Sequence, residues 1–164
     1  VHSALQSVNL STGDGIDEIS QAQAAAEGLP DRWKEVADLA RTAMASDIVK
    51  QAVATGRYRR EVYVAAPEGP VLVEGFIDLV FETEEGLVVV DYKTDGIETP
   101  EEIARSMERY RLQGGTYALA LEHATDRSVA KVVFLFLHTG SEVVMQDLPG
   151  AMQQVQKAVE GLVA

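Results

Sequence analysis

Residues 71–81 and 87–94 are two apolar runs joined through Glu84-Glu85-Gly86. Both are apolar on both faces, as strands are when a sheet is covered from two sides, so the rest of the chain has to supply that cover. Three charges interrupt the runs: Asp78 in the first, Asp91 and Lys93 in the second. Asp91 and Lys93 are two apart on one strand, so their side chains leave the same face. A turn through Glu84-Glu85 pairs position 83 with 86 and sets Asp78 opposite Asp91. A turn through Glu85-Gly86 sets Asp78 opposite Lys93 instead. In either register all three share a face, with opposed side-chain bases roughly 5 Å apart.

Two carboxylates that close inside a sheet repel each other and lose their hydration. A divalent cation between them removes the conflict. Magnesium or manganese takes oxygen ligands, keeps positions open for water, and can polarise a phosphodiester while lowering the pKa of the attacking water. Lys93 would then position or deprotonate that water, or stabilise the phosphorane charge. A D-x-K tripeptide on its own is common and reads as a buried ion pair, with Asp78 unrelated. Its place in two central strands of one hairpin turns the reading towards a site.

The remaining elements fit around this hairpin. Residues 1–56 are alanine-rich and helical in pattern, broken at Ser11-Thr12-Gly13-Asp14-Gly15 and at Gly28-Leu29-Pro30-Asp31. Asp31 is the expected N-cap of a helix whose core stripe is Trp33, Val36, Ala37, Ala40, Ala43 and Met44. A strand over 58–65 alternates polar and apolar residues, and 67–70 makes the turn into the first apolar run. Pro100 and Glu101-Glu102 open a crossover helix through Ile103, Met107, Tyr110, Gly114, Tyr117 and Leu121 to Ala124. Strands follow at 129–137 and 142–146, and Pro149 starts a last helix through Met152, Val155, Val159 and Leu162. This order predicts an α/β fold, a mixed sheet with helices on both faces.

At 164 residues the chain suits one domain over 1–164. No apolar run has the length of a membrane span and no signal peptide opens the chain, which places it in the cytoplasm. It contains no cysteine, so disulfides, thiolate zinc sites, cysteine nucleophiles and an iron–sulfur cluster are excluded, and a metal must sit on oxygen or imidazole. A net charge of −12 opposes stand-alone binding to phosphates. That objection recedes if basic surface lies elsewhere in a longer polypeptide. The chain opens at Val1 with His2 in mid-segment, which reads as an excised piece.

Gly75-x-x-Asp78 on one strand, Asp91-Tyr92-Lys93-Thr94 on the next and Gln113-x-x-x-Tyr117 on the following helix resemble the RecB-like branch of the PD-(D/E)XK nucleases. His2 and Leu5 match the His-x-x-Leu element of that family's leading helix, so the resemblance spans nearly the whole chain. It implies a restriction-endonuclease-like fold, a five-stranded mixed sheet flanked by helices. The implied activity is metal-dependent DNA hydrolysis in repair and recombination, by the nuclease domain of a UvrD- or RecB-type helicase-nuclease. The expected partners are DNA, as single strands, and a helicase domain in the same polypeptide. An exonuclease is expected because no sequence-reading element is visible. A catalytically inactive relic that binds DNA or protein is the alternative.

By the same resemblance, His2, Asp78, Asp91 and the backbone carbonyl of Tyr92 hold Mg2+ or Mn2+, and Lys93 is the catalytic lysine. Gln113 and Tyr117 are four apart on one helical face and shape the active site and contact the DNA strand. Arg109 precedes them and could meet a phosphate, although a solvated helix face also accounts for it. Glu61 and Glu74 are further acidic candidates, and Arg57, Arg59 and Arg60 form the one dense basic cluster. His123 and His138 read as surface residues.

Overall fold

The alanine-rich first third of the chain becomes four helices because its turn residues divide it. The computed structural model describes residues 1–97 and 99–163, with side chains up to 161. In it α1 (His2–Ser7), α2 (Ile16–Ala26), α3 (Trp33–Ala45) and α4 (Asp47–Thr55) precede the first strand. Ser46 separates α3 from α4, its hydroxyl accepting the Val49 N–H at 3.3 Å as an N-cap, and Gly56 ends α4 in the left-handed region at φ 62°. Asp31 does not cap α3 as expected. It lies inside a 3-10 turn, Pro30–Arg32, and α3 begins at Trp33 with Arg32 before it. The proline tightens the entry by one turn, which removes Asp31 from the extended conformation that a capping side chain needs.

Five strands follow: β1 (Tyr58–Glu68), β2 (Val71–Thr83), β3 (Gly86–Lys93), β4 (Val129–Phe136) and β5 (Ser141–Val144). They pair in the order β1-β2-β3-β4-β5, with β3 and β4 parallel and the other pairs antiparallel. The crossover helix α5 (Pro100–Thr125) joins the parallel pair, and α6 (Leu148–Val163) closes the chain. The expected mixed sheet between helices is therefore present. One core joins α1–α4 to Leu79, Phe81, Val88, Val90 and Tyr92, and the other joins α5 and α6 to Val80, Val89, Val132, Phe134 and Phe136. The valines at 88, 89 and 90 are fully buried, alternating between the two cores. Each stabilises the sheet by about 1.5–3 kcal/mol relative to an exposed side chain.

Several boundaries differ from the pattern. β1 runs on to Glu68, with Pro67 opposite Leu72, so the turn narrows to Gly69-Pro70. β1 is an edge strand, where a proline need not break a ladder on both sides. β4 ends at Phe136, β5 starts at Ser141 and ends at Val144, and α6 starts one residue before Pro149. The side chain of Leu162 lies outside the described residues.

The largest difference concerns the first apolar run, which is central only in part. β2 pairs with β3 from Leu79 to Thr83, while its preceding half pairs with β1 alone. Beyond the reach of α1–α4 that half forms a two-stranded ribbon, and Tyr63, Leu72 and Phe76 on it are more than half exposed. The facing of β2 also slips at Asp78, since Ile77 and Val80 both pack into the α5-side core. Opposite the slip stands Glu61, flanked by the pairs Arg60 with Leu79 and Val62 with Ile77, and held at φ 50°.

Helix α5 begins with a capping box in which Thr99 accepts the Glu102 N–H and the Glu102 carboxylate accepts the Thr99 N–H. Midway, Gly114 and Gly115 let it approach the sheet and α6. A methyl group on Gly114 would meet Met145 at 2.8 Å, and one on Gly115 would meet the Ala151 carbonyl oxygen at 2.7 Å. This close approach lowers Gln113 and Tyr117 towards β3.

Candidate active site

The hairpin closes with Thr83 opposite Gly86, so the turn is Glu84-Glu85, the first of the two registers considered. Continued by one residue, that register sets Asp78 opposite Asp91. The ladder does not continue, however, because β2 leaves β3 after Leu79. The Asp78 carboxylate turns into the opening and accepts the Tyr92 backbone N–H at 2.7 Å. The expectation of three side chains on one regular face is corrected accordingly. Asp91 and Lys93 project towards α5, whereas Asp78 sits in the cleft between two parting strands.

Asp91 and Lys93 are both buried, and the lysine side chain is only 10% exposed. Lys93 Nζ lies 2.6 Å from Asp91 Oδ2 and donates to Gln113 Oε1 at 2.6 Å. The carboxylate contact is close yet off the angle of a hydrogen bond, which leaves Asp91 Oδ2 a buried oxygen without a hydrogen-bond donor. Gln113 Nε2 donates to the Tyr117 hydroxyl at 2.7 Å and reaches Asp91 Oδ1 at 3.5 Å. The three motifs singled out in the sequence thus meet as one chain of contacts, Asp91–Lys93–Gln113–Tyr117. Burial, then the Asp91 charge, pushes the Tyr117 phenol well above its ordinary range, which keeps it a neutral donor.

His2 reaches the cleft from the other side. Its Nε2 donates to the Tyr92 carbonyl at 2.9 Å and lies 3.7 Å from Asp78 Oδ2. Helix α1 is too short to hold itself in water, and its C-terminal carbonyls are tied down instead: Arg60 Nη1 on β1 donates to Leu5 O at 2.9 Å and to Val8 O at 2.6 Å. Arg60 is therefore engaged within the protein and is not part of a basic surface. Arg57 lies 4.0 Å from Glu82, and Arg59 alone of the three has no ion pair among the described residues. Nothing in the sequence marks Arg60 for this role, since its partner is backbone.

Burial pushes the Asp78 carboxyl up to about 7, with the charges of Asp91 and Glu61 adding to the rise, and His2 and the Tyr92 N–H opposing it. A group so disposed favours either a proton or a cation. Among the described residues, no three His, Asp or Glu side chains already close around one point as an ion site. The available donors still suit a hard divalent ion: two carboxylates, one backbone carbonyl and one imidazole, with Asp91 Oδ2 lacking a donor. Neighbouring ligands of an octahedral magnesium lie about 3 Å apart. His2 Nε2 and the Tyr92 carbonyl oxygen stand at 2.9 Å.

The other candidates stand apart from this cluster. Arg109 contacts Ser106 at 3.2 Å and Asp95 at 4.0 Å, and its side chain is mostly exposed. Glu74 is exposed and accepts the Tyr63 hydroxyl. Glu61 is close enough for its charge to act on Asp78. His123 and His138 are exposed, as expected. Helical spacing makes Tyr110 a core residue, yet it faces Lys93, with Nζ 3.8 Å from its ring centre. No motif spacing signals that contact.

Gly75 explains the first residue of G-x-x-D. A methyl group there would stand 2.7 Å from Tyr117 Cε1, so the bare backbone is what admits the ring between β2 and α5. Gly75→Ala is expected to push the Tyr117 hydroxyl off Gln113 and lower kcat roughly 10- to 100-fold, as ångström-scale misplacement does. Melting curves alongside turnover check this: a variant as active as the parent would show that the ring position is immaterial.

A sequence model of the PD-(D/E)XK nuclease superfamily matches residues 1–164. The chain is also similar to ATP-dependent helicase/nuclease subunits of several bacteria. It is 39% identical over 84 residues to that of Thermoanaerobacter sp. (strain X514), 48% of this chain and 7% of the relative. It is 41% identical over 80 residues to that of Desulforudis audaxviator (strain MP104C), covering 49% and 6%. For Alkaliphilus oremlandii (strain OhILAs) the figures are 44% over 70 residues, 43% and 6%. The matched stretch is thus a small part of each relative's length. The match that runs from the leading helix to the last makes this chain a member of the PD-(D/E)XK nuclease superfamily.

Proposed function

We propose that this chain is a single nuclease domain that hydrolyses DNA phosphodiesters with Mg2+ or Mn2+, cutting single strands as an exonuclease. The observation that carries the reading is the contact chain Asp91–Lys93–Gln113–Tyr117 set beside the Asp78 cleft. His2, Asp78, Asp91 and the Tyr92 carbonyl would hold the ion. Bound there, it supplies charge neutralisation at the phosphate and a lowered pKa for water. Lys93 donates towards the oxygens on which charge develops, and Gln113 fixes it from α5. Tyr117, buried and neutral, orients Gln113 and borders the path of the strand. Arg109, exposed at the outer end of the same helix, meets the phosphates beyond the site. The relatives' name supports a place beside a helicase in one cytoplasmic polypeptide acting in DNA repair and recombination, where the motor delivers the strand. No described helix is long and apolar enough to cross a membrane.

The test is cleavage of end-labelled single-stranded DNA by the complete protein, in Mg2+, Mn2+ or a chelator, with Asp91→Ala and Lys93→Ala as controls. Metal-dependent shortening lost in both variants is the expected outcome, and unlabelled RNA or duplex added as competitor ranks the substrates. Cleavage that persists in chelator or in Asp91→Ala would overturn the reading. The net charge of −12 favours one rival, a nuclease-like module that binds without cutting. Retained DNA or protein binding with no cleavage in either metal is its signature.

A further inference from the structure

Lys93 is gripped from a side that faces neither Asp91 nor Gln113. Its Nζ lies 3.8 Å from the centre of the Tyr110 ring and 5.3 Å from that of Phe134. Tyr110 stacks on Phe134 at 5.4 Å with the planes 30° apart, and leans on Phe136 at 6.2 Å. Its hydroxyl donates to Asp95, on the segment that leaves β3. The ring is therefore backed by β4 and fixed in rotation by a carboxylate that does not touch the lysine. A core filler has no need of this arrangement, and Tyr110 is only half-buried.

We propose that Tyr110 is a positioning residue for the reaction, its ring face holding the Lys93 ammonium in place when Asp91 turns to a cation. The inference rests on the nuclease reading above. An ammonium has three donors. One goes to Gln113, and the approach to Asp91 Oδ2 is off the angle of a hydrogen bond. That same oxygen is the one left for an ion, so metal loading weakens the only ionic restraint on the lysine. A second carboxylate in its place would neutralise the ammonium and repel the incoming phosphate. An aromatic face attracts the cation through its quadrupole and carries no net charge, so it does neither.

The complete protein carrying Tyr110→Phe serves as the reference for a series with one, two and three fluorines on that ring. The shape is nearly constant while the quadrupole weakens. Turnover is expected to fall stepwise along the series at constant KM, and Tyr110→Leu to lose roughly 10- to 30-fold in kcat. A second readout does not need turnover: the Lys93 ε-methylene protons should be shifted upfield by the ring current in metal-free protein. The shift should persist when non-catalytic Ca2+ is added, and disappear in Tyr110→Leu. A kcat indifferent to fluorination, or an upfield shift that Ca2+ abolishes, overturns the proposal. A parent protein that cuts no DNA while keeping the shift overturns the nuclease reading instead, a result the two readouts keep separate.

Discussion

Asp91→Asn is expected to lower kcat by at least roughly 1,000-fold, and to destabilise the metal-free protein as well. Both effects follow from one atom. Asp91 Oδ2 is buried, lacks a hydrogen-bond donor and lies 2.6 Å from Lys93 Nζ. An amide at that position offers an ion no charge, and it leaves the ammonium buried with only Gln113 and the Tyr110 ring as partners. Breaking a buried pair in this way costs about 3–5 kcal/mol. Turnover is therefore to be measured well below the variant's own melting midpoint, with circular dichroism confirming the fold. A folded Asp91→Asn protein that keeps a tenth of parental turnover would remove Asp91 from the catalytic set.

Asp78→Asn is expected to act in the opposite sense on stability. The Asp78 carboxyl is raised to about 7 by burial, against an unfolded value near the ordinary 3.8. A raised carboxyl binds its proton more tightly in the folded state than in the unfolded one. Stability contributed by that proton is full below the unfolded value, declines as pH rises from about 4 to 7, and is gone above 7. The asparagine is neutral throughout and can still accept the Tyr92 N–H. At pH 8 without metal, the variant should therefore be the more stable by on the order of 3 kcal/mol, or roughly 6–12 °C in midpoint. At about pH 4 the two should converge. Mg2+ or Mn2+ at about pH 8 should raise the parent and leave the variant unmoved. Parallel pH profiles for the two proteins would refute the raised carboxyl.

The chemistry was legible because it is carried by spacing. Asp91 and Lys93 must share a strand face, and Gln113 and Tyr117 a helix face, whatever the tertiary detail. The structure adds that all four form one contact chain. The hairpin register was narrowed to two and the turn at Glu84-Glu85 selected one. What the pattern could not carry was the end of pairing after Leu79, since residues 71–81 remain apolar on both sides of the point where β2 leaves β3. Asp78 was therefore put on a ladder that has already opened. Asp31 failed for a local reason, the proline before it. Arg60 and Tyr110 failed for a distant one, because their partners are backbone carbonyls of α1 and a lysine of another element.

The grip of Arg60 on α1 makes the leading helix a latch fastened from the edge of the sheet. Six residues have no helical stability of their own to draw on, so the imidazole at their head keeps its place only while that fastening holds. Filling the ion site and closing the latch are consequently one equilibrium. Pressure on β1, on the far side of β2 from the catalytic lysine, reaches the metal without passing through any residue that touches the substrate.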